Sequence, residues 1–265
     1  MVIKVEGGIP RHYPEGEVFS FDAEVSSIFP DMATRSIPLY HEMHRLHSEI
    51  AVSFLSSRLP EHRQPTLLDI GASRGQFLRS MHEAAWPGTV YENDMELLSR
   101  AVSCTAIESS PHMAAHLRSE FPGLRVEDAD LSVNEECRPL GQFDVVACHY
   151  VLQFVPQANL DSAIRNLIGL CRPGGLLLFA EKHGYGFWGR EPGSIANAIS
   201  RNYYKWRASN GYTQEEIDAK SAALQNSMFE RSAASIEGAL RGRFDRKFDT
   251  FRFGPFRGFA AMKNR

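Results

Sequence analysis

From residue 66 onwards the chain alternates short apolar runs with one-sided helical patterns, and nothing else in it restricts the fold as strongly. The runs are "TLLDI", "AVSCTAIE", "LRVEDA", "FDVVACHY" and "GLLLFAEK", with helices predicted at 75–85, 111–120 and 158–171. Apolar runs of about five residues, bounded by turn signals and separated by helices, indicate a parallel sheet covered on both faces. The expected class is doubly wound α/β. Ser110 followed by Pro111 is a helix start, with Ser as N-cap and Pro at the first helical position. Leu160, Ile164, Leu167, Ile168 and Cys171 mark one apolar helix face.

The two ends break this rhythm. "RKFDTFRF" and "FRGFAAMK" are separated only by Gly254 and Pro255, too short a link for a crossover helix, so they should pair antiparallel at one edge. Between about 190 and 240 no strand is visible. Thr213 and Glu216 stand there at capping-box spacing, and Ile217, Leu224 and Met228 form an apolar stripe, which reads as a helical roof. Residues 1–36, rich in Pro, Gly and acidic groups, read as an irregular arm. Leu39, Met43, Leu46, Ile50 and Phe54 then predict a helix over 39–55 whose apolar face packs on the sheet. On that helix His41 and His44 of "HEMHRLH" fall opposite the stripe and are expected to face water rather than bind a metal. The expected organisation is an arm at 1–38 and one domain at 39–265 that includes the roof.

With 265 residues, 43% of them hydrophobic, the chain can bury a substantial core. Cys104, Cys137, Cys148 and Cys171 form no CxxC pair, a reduced, cytoplasmic pattern. No run approaches the roughly 18 apolar residues of a membrane span, so no membrane partner is expected. A net charge of −3 offers no global attraction to a polyphosphate, which leaves tRNA or another nucleic acid unsupported as a partner, though not refuted. A small-molecule acceptor is expected instead. "RNYYKWRASNGY" interleaves cations with aromatics, but on a helix its Tyr203, Tyr204 and Trp206 are read as a pocket roof or as a homodimer contact.

The chemistry centres on "TLLDIGASRGQFL", residues 66–78, where an apolar run stops at Asp69 and enters a turn with glycines at 71 and 75. In an open α/β sheet, ligands sit beyond the carboxyl ends of the strands where strand order reverses. A dinucleotide site needs G-x-G-x-x-G for the approach of the pyrophosphate, and here the middle glycine is absent, as is any Walker lysine. The alternative is S-adenosylmethionine, whose methionine part lies against such a turn while its ribose hydroxyls need a carboxylate. Glu108, ending the second strand, can supply it. Asp130, ending the third, is placed to reach the adenine amino group. Asp69 either ends its strand or holds the turn by accepting its amides. With "RPGGLLLF" leading into a late strand, this set resembles the class I S-adenosylmethionine-dependent methyltransferase superfamily, which implies a seven-stranded Rossmann-like sheet.

A narrower resemblance lies in "FDAEVSSIFPDMATRSIPLY", "LQFV", "AEKHGYGF" and "NGYTQEEIDAKSAALQNSM". These segments resemble the carboxy-S-adenosylmethionine synthase family. Its members transfer a carboxyl group from prephenate onto the cofactor's methyl carbon, for use in tRNA wobble-uridine modification. The resemblance implies cofactor contacts at Tyr40, Gly71, Ala72, Ser73, Glu108, Ser109, Asp130, Leu131 and His149. Asp69 and Gly75 of the turn are expected to bind the cofactor with them, and Tyr40 and His149, bordering the sulfonium, are the catalytic candidates. His149 is read as a cofactor contact, a general base or a satisfied core histidine. One departure stands out: the family's arginine that anchors the transferred carboxylate is Ser221 here, and a hydroxyl replaces neither its charge nor its fork geometry. Arg35, Arg201, Arg207 and Lys220 are the cations that could take its place, and spacing alone does not choose among them. The first expectation is therefore a methyltransferase of unidentified acceptor, and the second a carboxy-S-adenosylmethionine synthase. A third is a cofactor-binding regulator or partner subunit without chemistry. "WPGTVYENDMELLSR", near 86–101, lengthens the connection between the first two strands and could shape an acceptor site.

Overall fold

The structure is a computed structural model and describes residues 18–57, 63–85, 101–185 and 191–265. The long connection read at 86–101 lies outside the described residues, apart from Ala101, as does the arm before residue 18. Seven strands are described: β1 (Thr66–Ile70), β2 (Ser103–Ile107), β3 (Arg125–Glu127), β4 (Phe143–His149), β5 (Cys171–Lys182), β6 (Phe244–Phe253) and β7 (Phe256–Lys263). They form one sheet in the order β3-β2-β1-β4-β5-β7-β6. β1 to β5 run parallel, and β7 pairs antiparallel with both β5 and β6. Strand order reverses between β1 and β4, where Ile70 lies opposite Cys148.

The period of two along each strand divides the core between the two faces of the sheet. Leu68, Ile70, Val146, Cys148, Leu177 and Phe179 pack with Leu160, Ile164 and Leu167 of helix α6 (Leu160–Leu170). On the other face Leu67, Val145, Ala147, Leu176 and Leu178 meet three helices: α2 (Tyr40–Ser57), α3 (Gln76–Ala85) and α4 (Pro111–Glu120). Ser110 caps α4 as the sequence implies, accepting from the Met113 amide. A one-turn helix, α5 (Asn134–Cys137), leads into β4.

The roof consists of α7 (Ile195–Ser209), α8 (Gln214–Leu224) and α9 (Ala233–Leu240). Thr213 and Glu216 form the predicted capping box. α8 stops at Leu224, so Met228 does not continue its stripe.

Two expectations are corrected. Residues 23–36 are not irregular: α1 (Ala23–Ser36) is a helix capped by Asp22, and it accommodates Pro30 in its interior. Val25, Phe29, Met32 and Ala33 recur on its inward face, a periodicity masked in the sequence by the proline and the acidic flanks. Helix α2 is real, but its buried face is Tyr40, Met43, His44, His47, Ser48, Ala51 and Leu55. The stripe read from Leu39 is rotated by about one residue: Leu39 lies outside the helix, at φ 57°, and is 42% exposed. His41 faces out as expected. His44 does not; it is buried on the inward face, which it shares with Tyr40, His47 and Ser48 as well as the hydrophobes.

Candidate cofactor and active site

The turn after β1 is built from backbone that only small residues adopt at low cost. Gly71 has φ +62°, and a Cβ there would sit 2.6 Å from a Val151 methyl. The turn's amides are taken by its neighbours: Gly71 and Ala72 donate to the Ile107 carbonyl at 2.9 and 3.3 Å. Ser73 N–H donates to Glu108 Oε2 at 2.8 Å, and Ser110 N–H to Glu108 Oε1 at 2.9 Å. Glu108, rather than Asp69, therefore ties the turn down. A carboxylate has about four acceptor sites, so Glu108 retains capacity for hydroxyls.

Asp69 has a different part. It is buried, and its Oδ2 has no hydrogen-bond partner among the described residues. Burial, followed by the nearby charge of Glu108, pushes its carboxyl well above the usual range. Burial likewise raises Glu108, against the three backbone amides of Ser110, Ser73 and Ser109 that favour its charge. Two close, buried carboxylates with one unpartnered oxygen form a site that gains from a cation.

A cavity of about 760 Å³ opens over this turn, within the range of ligand pockets. Its walls include Tyr40, Asp69, Gly71, Ala72, Ser73, Glu108, Ser109 and His149, eight of the residues singled out in the sequence. Asp130 and Leu131 line an adjoining hollow of about 100 Å³ that shares Gly71, Ser109, Val151 and Phe154 with the main cavity. Asp130 Oδ1 accepts from the Ser132 amide at 2.7 Å. Gly75, expected as a cofactor contact, lines neither space. A Cβ there would lie 2.3 Å from the Phe121 ring, so this glycine lets α4 approach the turn.

Residues that the sequence reading placed elsewhere complete the walls. His44, turned inward on α2, packs edge-on against Tyr40 and His149 with centroids at 4.6 and 5.0 Å. His47 Nδ1 lies 2.9 Å from His149 Nε2, and His47 Nε2 lies 2.7 Å from Thr250 Oγ1. Burial holds the His44 and His47 imidazoles down at about 3, and His149 well below its ordinary value. Burial, followed by the charge of Asp69, raises the Tyr40 phenol. Reading α2 from Tyr40 rather than Leu39 would have found both inward histidines.

The roof is cationic. Arg207 is buried, lines the cavity, and leaves Nε and Nη2 without partners among the described residues. Lys220, also buried there, donates from Nζ to Ser36 Oγ at 2.9 Å, and burial followed by the charges of Arg207, Arg35 and Lys182 lowers it well below its usual range. Arg207 and Arg35 stack over Tyr212 at 4.7 and 4.4 Å. Ser221 lines the cavity, but its hydroxyl donates to Ile217 O on its own helix at 2.6 Å. Phe19, Phe21, Phe29 and Phe154 close one side, and Ser110 Oγ donates to Phe21 O at 2.6 Å.

The sheet order is that of the class I methyltransferase fold, and a family model described as a methyltransferase domain matches residues 68–177. Over nearly its whole length the chain is similar to carboxy-S-adenosyl-L-methionine synthases. That of Desulforapulum autotrophicum is 29% identical, over 92% of this chain and 91% of the relative; that of Campylobacter concisus is 25% identical, over 94% and 97%. Among solved structures, the plantazolicin methyltransferase BpumL, solved in complex with a triazolic desmethylPZN analog and SAH, matches with a TM-score of 0.58 at 13% identity, over 92% of each chain. The CMeT domain of the citrinin polyketide synthase matches at 0.60 and 14%, over 92% of this chain and 58% of that one. The chain spans about three fifths of the first solved structures it matches, 61% for the CurJ carbon methyltransferase. No helix among the described residues is long and apolar enough to cross a membrane.

Proposed function

We propose that this chain transfers a methyl group from S-adenosylmethionine to a small-molecule acceptor held under the cationic roof. The observation that carries the reading is the pair of buried carboxylates at the ends of β1 and β2, with Asp69 Oδ2 unpartnered among the described residues, beside a turn whose Gly71, Ala72 and Ser73 amides are already satisfied. These residues fit the cofactor. Asp69 suits its cationic methionine end, Glu108 its ribose hydroxyls, and the hollow at Asp130 and Leu131 its base. Bound there, the sulfonium supplies an electrophilic methyl carbon. The chain's part is alignment and exclusion of water: Tyr40, His44 and His149 wall the site on one side and the phenylalanine cluster on the other. Glu108→Ala should lower S-adenosylmethionine affinity at least tenfold, a loss of about 1.5–3 kcal/mol for hydrogen bonds to a charged acceptor. Isothermal titration decides this, and an unchanged dissociation constant removes Glu108 from the site.

A second reading is favoured by Arg207. Position 221 offers only a hydroxyl bonded to its own helix, yet the cavity does contain a buried guanidinium, that of Arg207, with two nitrogens unpartnered among the described residues. Such a group suits a carboxylate, and the curated relatives are carboxy-S-adenosylmethionine synthases. Mass spectrometry of the ligand released from the purified chain, before and after incubation with prephenate, separates the two. Carboxylated cofactor supports the synthase; S-adenosylmethionine or S-adenosylhomocysteine alone supports methyl transfer. We place the activity in the cytoplasm, with no membrane partner, and a homodimer through the roof is a proposal for sizing measurements.

A further inference from the structure

A chain of hydrogen bonds leads from the cavity wall to the edge of the sheet. His149 ends β4 beside the crevice, and its Nδ1 is buried without a partner among the described residues. Its Nε2 meets His47 Nδ1 at 2.9 Å, and His47 Nε2 meets Thr250 Oγ1 at 2.7 Å. Thr250 is out of step with its ladder. Asp249 pairs with Phe259 and Phe251 with Gly258, which leaves Thr250 as the extra residue of a β-bulge. Bulges re-aim side chains. A Cβ on Gly258 would lie 2.4 Å from the Phe251 ring and 3.0 Å from Thr250 Oγ1, so the glycine keeps that space open. A helix face, a bulge and a glycine thus converge to put a half-buried hydroxyl at the outer end of two buried imidazoles, of which His149 borders the cavity.

Each imidazole nitrogen inside the chain has one partner, so the chain supports two tautomeric states. In one, His149 Nε2–H donates to His47 Nδ1, His47 Nε2–H donates to Thr250 Oγ1, and His149 Nδ1 carries a lone pair. In the other every proton is shifted by one place and Nδ1 carries N–H. We propose that His149 in the first state is the general base for a neutral protic acceptor, an O–H or N–H nucleophile, and that His47 and Thr250 carry its proton out of the site. The proposal rests on the methyl-transfer reading and names its acceptor class.

The step balances. The acceptor's heteroatom forms its bond to the methyl carbon as the carbon–sulfur pair returns to sulfur, and the acceptor's proton passes to His149 Nδ1. The Nε2 proton moves to His47 Nδ1, the His47 Nε2 proton moves to Thr250 Oγ1, and the hydroxyl releases its own proton to water. The relay answers a physical problem: so deeply buried an imidazolium is too costly to hold, and a base here works only by passing its proton on. Arg207 and Lys220 in the same cavity add a reason, since they make a cationic product unfavourable beside them. His44, packed edge-on at 5.0 Å, has no hydrogen bond among the described residues and stands outside the chain.

Two measurements test the relay. With methyl-labelled S-adenosylmethionine and the small-molecule fraction of a cell extract, Thr250→Val should slow label transfer about tenfold, part of the hundredfold or more that a general base supplies. Cofactor affinity should be unchanged and Thr250→Ser should restore the rate, whereas a wild-type rate in Thr250→Val overturns the relay. Histidine side-chain nitrogen NMR, with and without S-adenosylhomocysteine, gives a readout independent of turnover. Signals assigned through His44→Asn, His47→Asn and His149→Asn should show a neutral His149 with its proton on Nε2, and a proton on Nδ1 overturns the assignment. If the wild-type chain binds cofactor but moves no label, the methyl-transfer reading fails, and the NMR still decides the tautomer.

Discussion

Asp69 and Glu108 are held in the folded chain in a state that a cation relieves. Asp69 ionises well above its ordinary range because of burial and then the charge of Glu108. A carboxyl whose folded value exceeds its unfolded value contributes stability that is fully present below the unfolded value and is lost as pH rises through the folded one. At neutral pH Asp69 therefore costs the unliganded chain stability. Asp69→Asn should raise the Tm of the unliganded chain, by about 2–4 °C for each kcal/mol recovered, while lowering S-adenosylmethionine affinity. Scanning calorimetry and isothermal titration on the same variant check both signs. A second consequence concerns pH: wild-type affinity should rise with pH as Asp69 ionises, with proton release on binding that Asp69→Asn abolishes. Titrations in two buffers of different ionisation enthalpy measure it.

At the scale of elements, the turn and the helix packed over it are one unit. Gly75 has φ +76°, and the Phe121 ring that follows α4 occupies the place of its missing side chain, within 2.5 Å. Gly75→Val should therefore destabilise by about 1–3 kcal/mol from overpacking alone, with strain at positive φ in addition. Chemical denaturation reads the loss, and an unchanged midpoint would mean that α4 does not press on the turn. The parallel strands and the terminal antiparallel pair were legible in the sequence because period two and short links admit few alternatives. The inward face of α2 was not: His44, His47 and Ser48 occupy core positions, and a hydrophobicity pattern counts them as solvent-facing. Nor was α1, whose interior proline reads as a breaker, although its packing on Phe19, Phe154 and the roof holds it. The site followed the same division. Gly71, Ser73, Glu108 and His149 came from strand ends; of the four cations the sequence offered, Arg207 and Lys220 line the cavity and Arg35 and Arg201 do not, a choice that depends on how the roof helices turn, as Tyr150 depends on the β4 end.

Across the whole molecule the cavity is divided by charge, although the chain carries only a small net negative charge. Lys182 and Glu230, which also line it, pair with each other; beyond that pair, the sheet side presents Asp69 and Glu108, and the roof presents Arg207 and Lys220. α1 joins the halves: Ser36 bonds Lys220 Nζ, its carbonyl accepts from Tyr203 Oη at 2.8 Å, and Arg74 donates from Nη1 to Ser26 O at 2.9 Å. A ligand that is cationic at one end and anionic at the other satisfies both sides, whereas one that is only cationic leaves the roof unpaired. Truncating Arg207 to Met keeps much of the stem's packing and removes the guanidinium. Arg207→Met should leave S-adenosylhomocysteine affinity within about twofold, since the floor holds it. The affinity for carboxy-S-adenosylmethionine should fall at least tenfold, the loss of a charge-assisted contact of about 1.5–3 kcal/mol. Paired titrations of the two ligands against wild type and variant give the ratio directly. If both affinities fall together, Arg207 supports the roof as a whole; if neither falls, the anionic end of the ligand lies elsewhere, and Lys220→Met becomes the variant to compare.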